Sequence, residues 1–445
     1  MTTETGGTLR RIQLGNALSA FGSGFTVPYL FLYVADVRGL GAGTAGAVLA
    51  AFAAAALLVL PLVGRVIDRH GPMPVALAGA AAAALGALSL GLAGNAPHVL
   101  CSAAVMGAGI AVLQPSLATM IVWCSTTATR SRAFATQFFL NNLGMGVGGL
   151  LGGQIVDEHA PSSFAVLFAV EAVMFLALAA VLLTVRLPRC AGAEQPGPAA
   201  PSRPRADGGG RSLASDRSMV MLCVLGFVLF FACYGQFESG LAAYGVEVSG
   251  VSTSTLGFAL FANTAVIVLA QFVVLRLVEG RRRSRVIALV GLVWTAGWLA
   301  AGASGLVPHA QAVATALFVT TYALFGLGEA MLSPTVAPLV ADLAPAGMVG
   351  RYNSAFALVK QLGVAVGPAV GGLMAAQGAY AAYVVLLVVC SLGITALALR
   401  LGGRLSPVQD NPALRRTARA AEGPAAGPAG VPDGGPDAGR VTVAA

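Results

Sequence analysis

Charge is scarce in this sequence, and lysine is scarcest. Asp, Glu, Lys and Arg make up 10% of the 445 residues, and of the 26 basic residues only Lys360 is a lysine. A soluble domain has roughly 25% charged residues. Here 57% of residues are hydrophobic and the mean hydropathy is +0.81. Such a chain buries itself in a bilayer. Its apolar runs do not alternate with polar residues, as the strands of a membrane barrel would. They last about 20 residues, the length of a spanning helix.

Other absences narrow the function. No Gly-rich loop ends in Gly-Lys-Ser/Thr, so nucleotide hydrolysis is not the expected fuel. The four histidines (His70, His98, His159, His309) are scattered near predicted helix ends. The six cysteines (Cys101, Cys124, Cys190, Cys223, Cys233, Cys390) show no metal or redox spacing. Neither metal nor cofactor is expected. No catalytic set clusters at one membrane face, so the chain does not read as an enzyme. The net charge of +8 would fit a nucleic-acid partner, but the placement of the arginines explains it differently.

Spanning helices are predicted near 12–35, 44–63, 73–93, 98–123, 134–156 and 163–185, then near 219–243, 253–275, 286–305, 311–340, 352–375 and 380–399. With the N-terminus inside, all of the arginines but Arg38 fall in inside segments. Cytoplasmic loops carry such an excess of Lys and Arg. The bias predicts a multi-pass protein with both termini cytoplasmic, and removes the need for nucleic acid. The opening "MTTETGGTLRRIQLG" lacks a cleavable signal pattern, so the first apolar segment is expected to stay as an anchor.

Residues 1–185 thus form a first six-helix half and 219–400 a second. Residues 186–218, rich in Pro, Gly and Arg, read as a flexible cytoplasmic linker. Residues 401–445 read as a disordered cytoplasmic tail.

The halves repeat one another. "GAGIAVLQPSLA" (107–118) aligns with "GLGEAMLSPTVA" (326–337) at a separation of 219, and Arg132, Gly144, Gly148, Gly152 and Gly153 meet Arg351, Gly363, Gly367, Gly371 and Gly372 at the same offset. Nearer the start the offset is 211, matching Tyr33 to Tyr244, Arg65 to Arg276 and Asp68 to Glu279. Parallel repeats of this kind are a transporter plan with the substrate site near the midplane.

The loop "GRVIDRHG" makes a resemblance specific. Gly64, Asp68, Arg69 and Gly71 are similar to the signature between helices 2 and 3 of the major facilitator superfamily, although the basic positions that usually follow are replaced by "PMP". Over residues 10–400 the chain resembles a twelve-helix member of that family. The resemblance implies an all-α membrane protein of two six-helix repeats, working by alternating access. The glycines of the loop permit a tight turn. Asp68, near Arg65, Arg69 and Arg130 or Arg132, is a candidate conformational latch; the plain alternative is an ordinary capped loop.

Direction is read from helices 5 and 11. The family's drug:proton antiporters have a Gly-Pro-rich signature on helix 5. Here helix 5 has the glycines (Gly144, Gly148, Gly152) with Gly149 in place of the proline, and the full form, Gly363, Gly367, Pro368 and Gly371, lies on helix 11. Small residues spaced by four let backbones meet, which would suit rocking of one half on the other, or simple packing. The Arg that such antiporters tend to place on helix 4, four residues before a Gly, is Ala103 here, so proton coupling does not carry over through it.

Ionisable residues at membrane depth are rare and usually functional. Glu329 on helix 10, Glu238 on helix 7 and Lys360 on helix 11 are the proton-coupling candidates. Glu171 on helix 6 reads as peripheral and structural. Glu329 either titrates or forms a fixed pair with Lys360. In the family fold helices 1, 4, 7 and 10 line the cavity, helices 2, 5, 8 and 11 flank it, and 3, 6, 9 and 12 pack outside. The resemblance then gives Asn16, Phe25, Tyr29, Gln114, Asn141, Gln236, Asn263, Tyr322 and Gln361 as cavity candidates. The expected function is proton-coupled efflux of small amphipathic molecules, a drug or natural product, across the plasma membrane by a monomer, as in multidrug resistance. The alternative is a proton-coupled importer of a nutrient or metabolite.

Overall fold

The computed structural model describes residues 2–157, 160–188, 213–237, 239–307, 309–411 and 413–414. Glu238, most of the linker and the tail beyond 414 lie outside the described residues. The regular elements are all helical. Twelve spans follow in order: α1 (Gly6–Val37), α2 (Gly41–His70), α3 (Pro72–Leu92), α4 (Ala96–Trp123), α5 (Arg130–Ile155), α6 (Pro161–Leu183), α7 (Arg217–Gln236), α8 (Ser254–Val278), α9 (Arg283–Gly305), α10 (Gln311–Leu343), α11 (Val349–Ala376) and α12 (Tyr380–Gly402).

Eleven of these are long and apolar enough to cross a membrane. The other, α5, has 26 residues but carries Arg130, Arg132, Gln137, Asn141 and Asn142. Its polarity has a location: Gln137 and Asn141 border the central cavity.

Each half repeats one packing scheme. In the first, α1 packs on α5 and α6, and α4 on α2 and α3; in the second, α7 packs on α11 and α12, and α10 on α8 and α9. The two halves meet along α2 with α11 and α5 with α8.

The glycine faces sit inside the halves, not between them. A Cβ on Gly144 would lie 2.7 Å from the Ala17 carbonyl oxygen, and one on Gly152 3.2 Å from Phe25 Cα; Gly148 abuts the Phe21 carbonyl. In the second half a Cβ on Gly363 would lie 2.8 Å from the Phe227 carbonyl oxygen, one on Gly367 2.5 Å from Gly235 Cα, and one on Gly371 2.9 Å from Gly240 N. The stripes therefore join α5 to α1 and α11 to α7. Of the two readings left open by the sequence, these contacts fit simple packing within each half. Pro368 follows Gly367 on an exposed turn of α11.

Three spans are interrupted. In α1 the α-helix ends at Thr26 and a 3₁₀ turn covers Val27–Tyr29 around Pro28. In α7 it ends at Ala232, followed by a 3₁₀ turn at Tyr234–Gln236 and a new helix at Gly240–Glu247. In α10 it ends at Leu332 and restarts at Val336. Pro334 removes the N–H that would bond the Ala330 carbonyl, which accepts from Gln271 Nε2 at 3.3 Å instead, and the Thr335 hydroxyl donates to the carbonyls of Met331 and Leu332, both at 2.9 Å. Such breaks survive at membrane depth only where protein or a cavity satisfies the backbone.

Folded structure runs past the boundaries read from composition. Asp216, assigned to the linker, caps α7 by accepting from Ser218 N and Met219 N at 3.0 and 3.1 Å. Residues 401–411, assigned to the tail, finish α12 and form a short helix at Pro407–Asp410.

Gly367→Val would drive a side chain into the Gly235 backbone, which cannot yield as a flexible side chain can. Overpacking costs ~1–3 kcal/mol or more. We expect a lower melting temperature in detergent for this variant, and none for Gly372→Val, whose Cβ meets nothing within 4 Å. Thermal unfolding of the two purified variants checks it.

Candidate functional site

Both halves converge at the arginine-rich face. Asp342, near the end of α10, accepts from Arg283 Nη1 at 2.7 Å and also pairs with Arg130 of the first half. Asp68, near the end of α2, accepts from Gly350 N at 2.7 Å and Arg351 N at 3.2 Å, and lies 3.5 Å from Arg351 Nε. It thus caps the N-terminus of α11, where free N–H groups and the helix dipole favour an anion. Its partner is this helix end, not the Arg130 or Arg132 expected from sequence. Gly64 has a different reason from a turn: it lies within α2, and a Cβ there would sit 2.7 Å from Arg351 Cα. Gly71 does make the turn, with φ of +83°. Arg69 is exposed.

The seam continues inward through neutral bonds. Ser354 donates to the Leu60 carbonyl at 2.5 Å, Ser333 to the Phe134 carbonyl at 3.0 Å, and Asn353 to Thr119 at 3.2 Å. At the opposite face a Cβ on Gly43, Gly46, Gly257 or Gly372 would meet open space. The ties between the halves described here gather between the arginine-rich face and the middle of the bundle.

Between them lies a cavity in two adjoining lobes of about 320 and 340 Å³. Both are bordered by Gln114, Ala118, Phe134, Gln137, Asn141 and Lys360. The second-half lobe adds Phe230, Tyr234, Glu329, Ser333 and Phe356. The first-half lobe adds Asn16, Ser19, Ser23, Phe52 and Ile110.

Glu329 sits one turn before the break in α10. Its Oε1 accepts from Asn263 Nδ2 at 2.9 Å, and the hydroxyl of Tyr234, at the break in α7, bonds to the same carboxyl. The carboxylate is buried. Lys360 extends from α11 across the seam, where Nζ donates to Gln114 Oε1 at 3.3 Å and stands 5.1 Å from the centre of the Phe230 ring. Glu329 and Lys360 attract electrostatically, but among the described residues they form no salt bridge. The fixed pair that sequence left open is not formed here.

The other expected cavity residues divide. Asn16, Gln114 and Asn141 line it. Asn263 stands behind Glu329 as its hydrogen-bond donor. Phe25, Tyr29, Gln236, Tyr322 and Gln361 line neither lobe. Gln236 is consumed by structure: its amide donates to the Phe231 and Gly367 carbonyls at 2.9 and 3.3 Å and accepts from Tyr383 at 3.0 Å. Tyr322 donates to the Phe237 carbonyl at 2.9 Å, and Tyr29 to the Gly149 carbonyl at 2.8 Å. Phe25 packs edge-on against Phe21. Glu171 is buried against α1, accepting from Thr26 at 2.5 Å, and braces the first break. Sequence reasoning missed Tyr234, Gln137 and Asp342 as functional positions. Asp342 was visible as a lone acid near the inner end of helix 10, but its two arginines are distant in sequence.

The Major Facilitator Superfamily model matches residues 12–313 and 254–429. The chain belongs to this superfamily. As a member it is a multi-pass secondary transporter of small molecules, not an enzyme. YttB and YqjV, uncharacterised transporters of this superfamily type from Bacillus subtilis (strain 168), are each 24% identical, over 82% and 81% of this chain and 88% and 85% of their own lengths. The superfamily transporter FucP in its outward conformation, a fucose:proton symporter of E. coli, matches with a TM-score of 0.71 at 15% identity, covering 88% of this chain and 98% of FucP. A bacterial homologue of ferroportin, outward-facing, also matches at 0.71, with 14% identity and coverage of 89% and 99%. At these identities the structural likeness is one of fold.

Asp342→Asn would leave two buried guanidinium groups without their shared counter-charge. Removing one partner of a buried pair typically costs ~3–5 kcal/mol. In a cysteine-free background carrying Gln137→Cys, we expect Asp342→Asn to lower labelling from the face opposite the arginines and to reduce thermal stability. Unchanged labelling and stability would show that the closed end does not depend on this triad.

Proposed function

We propose that this transporter exports small amphipathic molecules, a drug or natural product, in exchange for protons, with Glu329 as the proton-carrying carboxylate. The observation that carries the reading is the setting of Glu329: a carboxylate enclosed by Tyr234 and Asn263 on the wall of a central cavity, with Lys360 beside it. The arginine-rich face is then cytoplasmic, both termini lie inside, and the closed seam makes this an outward-facing state in the plasma membrane. A single chain contains the whole cavity, which supports a working monomer.

The proton acts through Lys360. When Glu329 is ionised, Lys360 is drawn toward it within the second half. When Glu329 is protonated, that attraction ends and Lys360 is free to bond Gln114 of the first half, as it does here. A proton can bias a conformation only by such differential contact. One charge moving through 100 mV is worth about 2.3 kcal/mol, enough to make the cycle directional. Aromatic and aliphatic walls with a few polar points suit an amphipathic substrate. The Gly-Pro pattern of α11 leans toward efflux, and Glu238 remains a second candidate carboxylate.

In a host stripped of its own efflux pumps, the wild type is expected to raise resistance to a panel of toxic amphipathic compounds. Glu329→Gln, at equal membrane level, is expected to lose that protection. In everted vesicles, proton-driven accumulation should rise with the pH gradient for the wild type and be flat for Glu329→Gln. Protection retained by the variant would reject Glu329 as the carrier while keeping export. Uptake into intact cells along the proton gradient would instead make the chain an importer.

A further inference from the structure

A large groove on the second half plays no part in the site described above. It lies between α8 and α9, which both pack on α10 and leave a gap between themselves. Its volume is about 700 Å³. Leu277 and Leu289, both exposed, form its walls, and Leu327 and Met331 of α10 lie along its floor. Arg281, Arg282 and Arg285 rim it at the end where α8 turns into α9, and all three are exposed. The adjacent Arg283 is different: it is buried and committed to Asp342.

A positive-inside bias accounts for arginines at this loop. It does not account for an apolar slot that begins directly beneath them and reaches back to the cavity-lining helix. A groove of this depth on the outer wall of a membrane bundle takes up hydrocarbon, and cationic pockets between spanning helices favour anionic headgroups. Guanidinium groups match phosphate oxygens in planar, bidentate fashion. The two chemistries occur end to end in one molecule, a phospholipid with net negative charge.

We propose that the α8–α9 groove is a specific binding site for one anionic phospholipid of the leaflet at the arginine-rich face, its phosphate held by Arg281, Arg282 and Arg285 and an acyl chain lying against Leu289, Leu327 and Met331. The proposal does not depend on transport direction or on Glu329.

Native mass spectrometry of the purified full chain, titrated with phosphatidylglycerol or with phosphatidylethanolamine of identical acyl chains, tests it. One phosphatidylglycerol should be retained per chain, at least about tenfold more tightly than phosphatidylethanolamine, since basic residues near the headgroup favour net negative charge. The triple variant Arg281→Gln, Arg282→Gln, Arg285→Gln should lose that preference. Leu289→Trp, which fills the slot and keeps the charge, should weaken phosphatidylglycerol as well. Equal retention of the two lipids by the wild type overturns the proposal, and that reading needs no variant to fold. So does a triple variant that folds and keeps the preference. A third overturning result is displacement of the lipid by inorganic phosphate at comparable concentration, since the groove would then contribute nothing.

Discussion

Which way a transporter state opens depends on which end of the bundle is tied, and here one carboxylate joins the two halves at the arginine-rich end. Asp342 lies between Arg283 of its own half and Arg130 of the other. Taking these charges out of water is costly, and their attraction offsets that cost only while all of them are in place. Arg130 Nε and the Nε and Nη2 of Arg283 make no hydrogen bond among the described residues, so the triad is incompletely satisfied even when closed. A tie of this kind holds without being permanent. Asp68 adds a second, weaker tie at the start of α11, and Gly64 lets the backbones approach closely enough for it to form. With that end tied, the two-lobed cavity lies between the halves just beyond it.

The duplication is visible in the site as well as in the scaffold. Glu329 corresponds to Ile110 and Lys360 to Asn141 at the 219-residue offset, and both first-half counterparts border the cavity. Gln114 corresponds to Ser333 in the same way, and these also face inward. One set of inward-facing positions has therefore been kept in both halves while the ionisable chemistry sits in the second half alone. The breaks follow the same logic. Those in α7 and α10 bring Tyr234 and Glu329 together, and an unbroken α7 would present a lateral helix face there, not the Tyr234 hydroxyl.

Much of this was legible in the sequence for physical reasons. Spanning length, arginine placement and the repeat offset are properties of the chain alone, and they define twelve helices in two halves. The facing of individual side chains is not. In a soluble helix the polar stripe marks the outside, but α3, α6 and α9 are mostly apolar and their few polar residues do not form an outward stripe, so periodicity does not tell lipid from neighbour. Gln236 and Tyr322 look like cavity residues because they are polar at depth, yet they bond carbonyls beside the α7 break (Phe231 and Phe237), and Gln236 also bonds Gly367 of α11 and Tyr383. That break could not be placed from sequence, since Gly235 and Gly240 resemble many glycines that merely allow close packing. Asn263 shows the opposite case: absent from the cavity wall, it still reaches the site through Glu329.

A last step concerns the placement of two carboxylates on one span. Glu329 and Asp342 both belong to α10, and the break at Ser333–Thr335 separates them. Glu329 is anchored to α8 through Asn263, whereas the short helix Val336–Leu343 is tied to the other half through Asp342. Were α10 continuous, any shift of Asp342 away from Arg130 would drag Glu329 off Asn263 and Tyr234. With Pro334 between them, the lower segment can tilt while the upper one stays. The residue at the joint, Ser333, bonds the first half at Phe134 and borders the cavity beside Glu329. Ser333 therefore touches both the cavity wall and the cross-half seam, one turn from Glu329 and at the head of the segment that carries Asp342.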